Sequence, residues 1–282
     1  MLPTWHRRIR QFAVLLSCTF TTAAIAQTTS VTPKQTDHHA DHSHADPLHL
    51  LHPLVVESPL PENEARLEFT HASLTDGEGH ESTLTGTLEL APVRWFSVEL
   101  AAPFTHLDPE EGGSETRLGN ISTGFKFANF AFEEYGVLLA GGLELGLPTG
   151  NEERGIGNDH VLEFEPWTGI GYKHDHHELI ARVGVGIPTN QGSDPEADVE
   201  IEWGVSWLYH LIEHRLATLL EVDGTNIIGK EEDGYNSVAI TPGVRIHPFD
   251  NPDVSFGAGI RLPVTDDRDS HVQGIVTLFF HF

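Results

Sequence analysis

The sequence predicts an all-β fold: a transmembrane antiparallel up-and-down β-barrel of about 12 strands, preceded by a disordered N-terminal tail. Three observations support this prediction. Short segments alternate in hydrophobicity, their connections alternate in length, and aromatic residues gather at one end of the segments. The expected boundaries are a signal peptide at 1–26, a His/Asp-rich tail at 27–62 and the barrel at 63–282.

The first 26 residues have the layout of a secretory signal peptide. A basic stretch, "HRRIR", precedes the apolar stretch "FAVLL" and the small-residue site "AIA", which predicts cleavage before Gln27. The run "LLSC" leaves lipoprotein cleavage at Cys18 as an alternative. Ordinary cleavage removes three arginines and no acids, so the formal net charge changes from −26 to −29. Such an acidic chain argues against nucleic acid as a partner and is compatible with cations.

The barrel prediction starts from twelve segments separated by clusters of Gly, Asn, Asp and Pro. Each segment is close to the 9–11 residues that a tilted strand needs to cross a bilayer. The segments lie near 64–73, 82–91, 94–105, 117–127, 135–147, 161–172, 178–187, 198–210, 215–223, 236–247, 253–263 and 271–282.

Each segment sorts into an apolar face and a charged face. The apolar face carries no Asp, Glu or Lys, and its only arginines, Arg94 and Arg117, begin their segments. A soluble barrel would show the same alternation with its apolar face inward, so the faces alone leave both folds open. The charged face supplies the candidate lumen residues, which are Glu144, Glu163, Glu165, Glu178, Arg182, Glu200, Glu202, Arg215, Glu221, Asp223, Arg245 and Arg261.

The connections and the aromatic residues favour the membrane barrel over the soluble one. Short turns such as "APVR" (91–94) interleave with long polar loops such as "PTGNEERGIGND" (148–159). On the apolar face, Phe96, Tyr135, Phe280 and others lie at the short-turn end, which is typical of an interfacial belt. The predicted location is the outer membrane of a Gram-negative cell, with the tail and the aromatic final strand "VTLFFHF" ending in the periplasm.

The lumen charges allow two interpretations. Rings of carboxylates favour cations, which predicts a cation-preferring pore with an acidic mouth. Alternatively, the charges form an ion-pair network that fills the limited interior of a twelve-stranded barrel. Catalysis is not expected, because His71 and Ser73 share the apolar face without an acid or amide beside them.

Histidines are concentrated in the tail and near the short-turn end. Neutral imidazoles suit Cu, Zn or Ni, so transition-metal capture is one interpretation of these histidines; the alternative is a solvated polar tail that is rich in histidine. No cofactor is required. The candidate metal ligands are His38, His39, His42, His44, His49, His52, His174, His176 and His177.

Three stretches resemble the MetA-pathway-of-phenol-degradation family of outer-membrane proteins: "RLGNISTGFKFA" (117–128), "GGLELGLPTGN" (141–151) and "EPWTGIGYKH" (165–174). Asn120 stands where that family usually has Asp. The resemblance implies a barrel at about 64–282 and a transporter or channel. The predicted function is an outer-membrane channel for small solutes, with cations or transition metals favoured. The alternatives are uptake of small aromatic or hydrophobic compounds, and a non-conducting barrel that anchors a metal-binding periplasmic tail.

Overall fold

The computed structural model describes residues 49–75, 79–110, 112–189, 199–213, 215–229, 234–249 and 253–282, without the side chains at 129, 130 and 133. All of these residues belong to one compact unit, His42–Phe282. Among the described residues, no helix is both long and apolar enough to cross a membrane.

The described chain is built almost entirely of strands. They are β1 (Glu64–Leu74), β2 (His80–Val93), β3 (Phe96–Asp108), β4 (Glu115–Leu118), β5 (Ser122–Phe132), β6 (Val137–Gly146), β7 (Leu162–His174), β8 (His177–Thr189), β9 (Val199–Ile212), β10 (Leu216–Ile228), β11 (Asn236–Ile246), β12 (Val254–Pro263) and β13 (Ser270–His281). Single 3-10 turns at Glu133–Tyr135 and Glu152–Arg154 complete the regular structure of the described residues.

The strands form a closed antiparallel barrel. Except for β4 and β5, strands that follow one another in sequence pair, and β1 also pairs with β13, from Glu64 opposite His281 to Leu74 opposite Ser270. Both β4 and β5 pair with β3, so these two pieces occupy one position in the wall. The barrel therefore has twelve strand positions, which confirms the predicted fold.

The two faces of the strands lie where the alternation places them. On the outer face, Leu100, Val183 and Ile260 are exposed at 51%, 41% and 52%. On the inner face, Glu178 and Arg245 are fully buried. A soluble barrel would have the opposite arrangement. This outward apolar surface is the one that contacts lipid in a membrane barrel.

Connections and aromatic side chains distinguish the two ends of the barrel. Residues 94–95, 133–136, 175–176, 213–215 and 247–253 join strands at one end, where β1 begins and β13 ends. We call this the short-turn end, and the other the long-loop end. Outward aromatic rings lie together near the short-turn end, including Phe96 with Phe127, whose centroids are 4.9 Å apart, and Phe280 with Phe282, at 6.1 Å. This agrees with the predicted belt.

Residues 49–62 depart from the predicted tail. Leu50, Leu51, Leu54 and Val56 are buried, and this stretch lies inside the barrel against residues of the inner face. We call it the luminal segment. The expectation that the tail continues to residue 62 as a solvated chain is wrong for this stretch, because its apolar side chains pack in the lumen.

Candidate functional site

The luminal segment enters the barrel from the short-turn end and returns to it. Near its start, the Lys173 ammonium donates to the carbonyl of His49 over 2.7 Å. Its middle reaches Glu221, in the central part of β10. At its end, the backbone N–H of Glu62 donates to Oε1 of Glu89 over 3.0 Å, just before β1 begins. The segment therefore fills the short-turn half of the lumen.

Carboxylates of the wall hold the backbone of this segment. Glu178 accepts the N–H of Leu51 at 2.7 Å. Glu221 accepts the N–H groups of Leu54, Val55 and Val56 at 2.9, 3.0 and 2.7 Å. The segment has no regular secondary structure, so its buried N–H groups need such partners. Glu178 and Glu221 thus anchor the segment, a role that neither interpretation of the lumen charges included.

Glycines on the inner wall make room for the apolar side chains of the segment. A Cβ at Gly171 would lie 2.2 Å from Leu50, and one at Gly257 would lie 2.4 Å from Leu54. These distances are shorter than real Cβ contacts, so a larger residue at either position would displace the segment. The wall is shaped to fit residues 49–62.

Glu57 is the charged centre of the segment. Its carboxylate lies 3.3 Å from Arg66 on β1, 3.2 Å from Lys126 on β5 and 3.0 Å from His52. Burial opposes the charge of Glu57, but His52, Arg66 and Lys126 outweigh it and hold its pKa well below the ordinary value. Burial also opposes a charged His52, but Glu57 outweighs it and raises the pKa of the imidazole. These contacts bind the segment to two strands of the wall.

An acidic cavity of about 430 Å³ lies on the long-loop side of the segment, and His52, Leu54, Val55 and Glu57 contribute to its lining. The remaining lining comes from eight strand positions and is dominated by carboxylates. The charged lining residues are Glu57, Glu68, Glu99, Glu144, Glu163, Glu165, Glu202, Arg66 and Arg182. Five of these residues, all on β6 to β9, are among the predicted lumen residues. Glu57 is not among them, because it lies in the stretch that is expected from sequence to belong to the tail.

A second cavity, of about 210 Å³, adjoins the first and shares Val55, Glu57, Arg182 and Glu202 with it. Its wall also includes Asp223 and Arg261, whose Oδ2 and Nη2 atoms are 2.5 Å apart. The empty space in the described barrel therefore continues beside the tip of the luminal segment.

Ion pairs neutralise only part of the acidic lining. Nη2 of Arg182 lies 2.8 Å from Oε1 of Glu165 and 3.5 Å from Oε2 of Glu144, and the guanidinium lies over the Trp167 ring at 5.1 Å. Glu163 and Glu202 line the same cavity, and neither forms an ion pair with a described residue. Glu144 and Glu165 therefore belong to an ion-pair network, as one interpretation of the lumen charges predicts, whereas Glu163 and Glu202 do not.

The other candidate lumen residues lie outside the cavity. Arg245 is buried; its Nε donates to Oγ of Ser255 over 2.9 Å, and its Nη1 donates to the carbonyl of His52. Glu200 is on β9 towards the long-loop end and is not part of the cavity lining. Arg215 is exposed in the turn before β10, so its predicted place on the lumen wall is wrong: β10 begins one residue later.

The candidate metal ligands that the structure describes do not come together as one group. His38, His39, His42 and His44 lie outside the described residues. The ring of His52 contacts Glu57, the carbonyl of Pro53 and Arg66, so the prediction that it is a solvated tail ligand is wrong.

His49 begins the luminal segment, and its Nδ1 lies 3.3 Å from Oε1 of Glu62. His174, His176 and His177 are exposed around the β7–β8 turn. The His177 ring stacks on Trp207 with centroids 5.9 Å apart, as a belt residue does.

The outer His71 and Ser73 do not form a catalytic pair. Nδ1 of His71 lies 2.9 Å from Oγ of Ser82 instead, and its ring stacks on His80.

Two of the resemblance stretches meet at the long-loop end. Oδ1 of Asn120 accepts the N–H of Asn158 at 2.9 Å, and Oγ1 of Thr149 accepts the N–H of Ile121 at 2.8 Å. A Cβ at Gly157 would lie 2.2 Å from Oδ1 of Asn120. Asn120 therefore holds the 148–159 loop by accepting a hydrogen bond, and an Asp carboxylate at this position could accept the same bond.

Comparison with known proteins gives a fold but no family. No family model and no curated protein matches the sequence. The COG4313 outer-membrane channel from Pseudomonas putida F1 aligns with a TM-score of 0.60 at 12% identity, over 83% of this chain and 100% of that chain. The NanC porin aligns with a TM-score of 0.52 at 8% identity, over 78% of this chain and 98% of that chain. This chain has the fold of outer-membrane channel and porin β-barrels.

Proposed function

We propose that this protein is an outer-membrane channel for small solutes that favours cations, with its short-turn end in the periplasm. The observation that supports this most is the acidic cavity of about 430 Å³ inside a closed barrel. Seven glutamates line it against two arginines, and its size suits small solutes.

The electrostatics of the cavity favour positive solutes. Carboxylates within low-dielectric walls concentrate cations and exclude anions. Glu163 and Glu202 form no ion pair with a described residue, although Arg182 and Arg261 are near enough to attract the charge of Glu202. Formal charge across the whole chain has the same sign, at −26.

Uptake of small aromatic or hydrophobic compounds, which the MetA-pathway resemblance implies, is the second candidate. Leu54, Val55 and Ala101 give the cavity some apolar lining. Charged groups dominate that lining, however, and an apolar solute would have to remove water from them at a cost in free energy. The cavity therefore favours the cation hypothesis.

Neutralising the glutamates without ion-pair partners tests cation selectivity. We expect Glu163→Gln with Glu202→Gln to lower the cation-to-anion permeability ratio, measured as a smaller reversal potential in a salt gradient across planar bilayers. The free energy of unfolding should change little, because no ion pair is broken. The matched control, Glu152→Gln with Glu153→Gln, removes the same charge from the exposed 3-10 turn and should leave selectivity unchanged.

Unchanged selectivity in the cavity variant would contradict the proposed cation preference. Glu165→Gln provides the contrast, since Glu165 is paired with Arg182. It should lower the thermal stability of the barrel by breaking this pair.

The pH dependence of conduction should follow the charges that hold the luminal segment. The pKa of His52 is raised in the folded protein. Protonated His52 therefore stabilises the bound luminal segment fully below about pH 6.5, and this stabilisation is lost as the pH rises through the higher folded-state pKa. The pKa of Glu57 is lowered, so the stabilisation that its carboxylate provides is complete above about pH 4.5. The luminal segment should therefore be bound most firmly between about pH 4.5 and about pH 6.5. Conductance should rise from about pH 6 to about pH 9, because His52 loses its proton.

His52→Gln isolates this effect from the cavity glutamates. The variant should conduct more than the unmodified protein at about pH 6, and its conductance should change less up to about pH 9. Identical pH profiles for the two proteins would show that His52 does not hold the segment.

The tail histidines suggest a second, separable function. We propose that His38, His39, His42 and His44 collect Cu, Zn or Ni in the periplasm, on the basis of their density in the sequence. A barrel that conducts nothing and only anchors this tail would show no conductance in the bilayer measurements above.

A further inference from the structure

Four side chains converge at the short-turn end, where the luminal segment begins and ends. His49 is its first residue and Glu62 its last; Glu64 begins β1 and His281 ends β13. Nδ1 of His49 lies 3.3 Å from Oε1 of Glu62, and Nε2 of His281 lies 3.3 Å from Oε2 of Glu64. The candidate ligand atoms of Glu62, Glu64 and His281 all lie within 4.8 Å of one another. His49 is not a member of this close group and meets it through its contact with Glu62.

One oxygen in this group lacks a hydrogen-bond donor. Glu64 is only 3% exposed, and its Oε2 accepts no hydrogen bond, although Nε2 of His281 is close. A buried carboxylate oxygen left in this state costs free energy, because it has lost its water without gaining a partner. A bound cation would supply that partner.

The nearby arginine does not serve this oxygen. Arg245 donates to Ser255 and to the carbonyl of His52, and its guanidinium lies over the Phe279 ring at 3.8 Å. Its Nη2 lies 3.3 Å from Nε2 of His281, the nitrogen that would bind the metal, so a bound ion must displace this hydrogen bond and also overcome the repulsion of the guanidinium charge. Two carboxylates against one guanidinium still leave the group net negative when the imidazoles are neutral.

The composition of the group suits a transition metal. Imidazole nitrogens favour Zn, Cu, Fe and Ni, and carboxylate oxygens complete many such sites. In a tetrahedral zinc site with bonds of about 2.0 Å, neighbouring ligand atoms stand about 3.3 Å apart. The two closest pairs in the group have this spacing, at 3.3 Å each.

We propose that Glu62, Glu64 and His281 form a binding site for one divalent transition-metal ion, with His49, which contacts Glu62, as the fourth ligand and Zn(II) as the reference ion. The site joins both ends of the luminal segment to β1 and β13, the two strands that close the barrel. Metal binding holds the segment in the lumen, so the site is distinct from metal capture by the tail and does not depend on which solute the channel conducts.

Zinc titration of the full mature chain in detergent tests this site. The protein is stripped with a chelator and titrated with zinc chloride by isothermal calorimetry, in a background where His38, His39, His42 and His44 are all changed to Asn. We expect this background to keep binding with one ion per chain. Adding Glu64→Gln and His281→Gln should weaken that binding at least tenfold.

His49→Asn in the same background provides a variant outside the strands, so a folding defect of the barrel cannot explain its effect. It too should weaken zinc binding. Circular dichroism controls for the β structure of every variant, and Co(II) should give the intense visible absorption of a tetrahedral site only where the ligands are intact. Zinc affinity unchanged by either set of substitutions, or no binding once the four tail histidines are replaced, would overturn the proposal.

Discussion

Removing residues 27–60 should raise the single-channel conductance of the barrel several-fold in planar bilayers. The luminal segment fills the short-turn half of the lumen, and Leu54, Val55 and Glu57 close the floor of the acidic cavity. Without the segment, the cavity would open directly to the short-turn end. The strands pair with one another along the whole barrel, so the wall should still form.

A reversible disulfide bond between the luminal segment and the wall distinguishes a segment that moves to open the pore from one that obstructs it permanently. The Cβ position of Gly204 lies 3.6 Å from Cβ of Val56, within the range of about 3.5–4.5 Å that a disulfide needs. Val56→Cys also removes the Cγ2 atom that is 2.7 Å from that position. The double variant Val56→Cys with Gly204→Cys should conduct little when oxidised, and reduction with dithiothreitol should restore conductance.

The controls are the two single-cysteine variants, which should not respond to the reductant. Equal conductance with and without the luminal segment would show that it does not obstruct the pore. If the deletion raises conductance but oxidation and reduction of the double variant give the same value, the segment is a permanent constriction and does not move.

The wall of the barrel could be predicted from sequence because it follows a period of two residues. Arg182 and Val183 are adjacent in the chain, yet one lines the acidic cavity and the other faces outward. Only the phase of each strand had to be chosen, and the charge-free face fixed it. The distinction between the short-turn end and the long-loop end could be predicted from the lengths of the connections and from the positions of the aromatic residues on the apolar face.

The luminal segment could not be predicted, because it has no periodic pattern and its partners are distant in sequence. Leu51 and Glu178 are 127 residues apart, and Val56 and Glu221 are 165 apart. One signal was present: the stretch "PLHLLHPLVV" is too apolar for a solvated tail. Glu178 and Glu221 were correctly placed on the inner face, but their role as acceptors for the segment depends on contacts that spacing does not show.

A charged residue introduced on the outer face should lower the free energy of unfolding where that face contacts lipid. Val183 is the central residue of β8, is 41% exposed and lies on the apolar face. An arginine at a lipid-facing position near the bilayer midplane costs about 2–4 kcal/mol. Val183→Arg should therefore lower the free energy of unfolding by about this amount, measured by urea unfolding in lipid vesicles with tryptophan fluorescence.

Neighbouring residues of β2 provide the matched comparison. Leu84 is 42% exposed on the apolar face, while Thr85 lines the acidic cavity with Glu68 and Glu99. Leu84→Arg should destabilise the barrel in the same direction as Val183→Arg. Thr85→Arg should cost little, because its guanidinium would lie among carboxylates. The same three variants unfolded in a zwitterionic detergent should differ less, since detergent tolerates surface charge better than a bilayer does. Equal losses at Leu84 and Thr85 in vesicles would mean that the outer face does not contact lipid, and the membrane barrel would have to be abandoned.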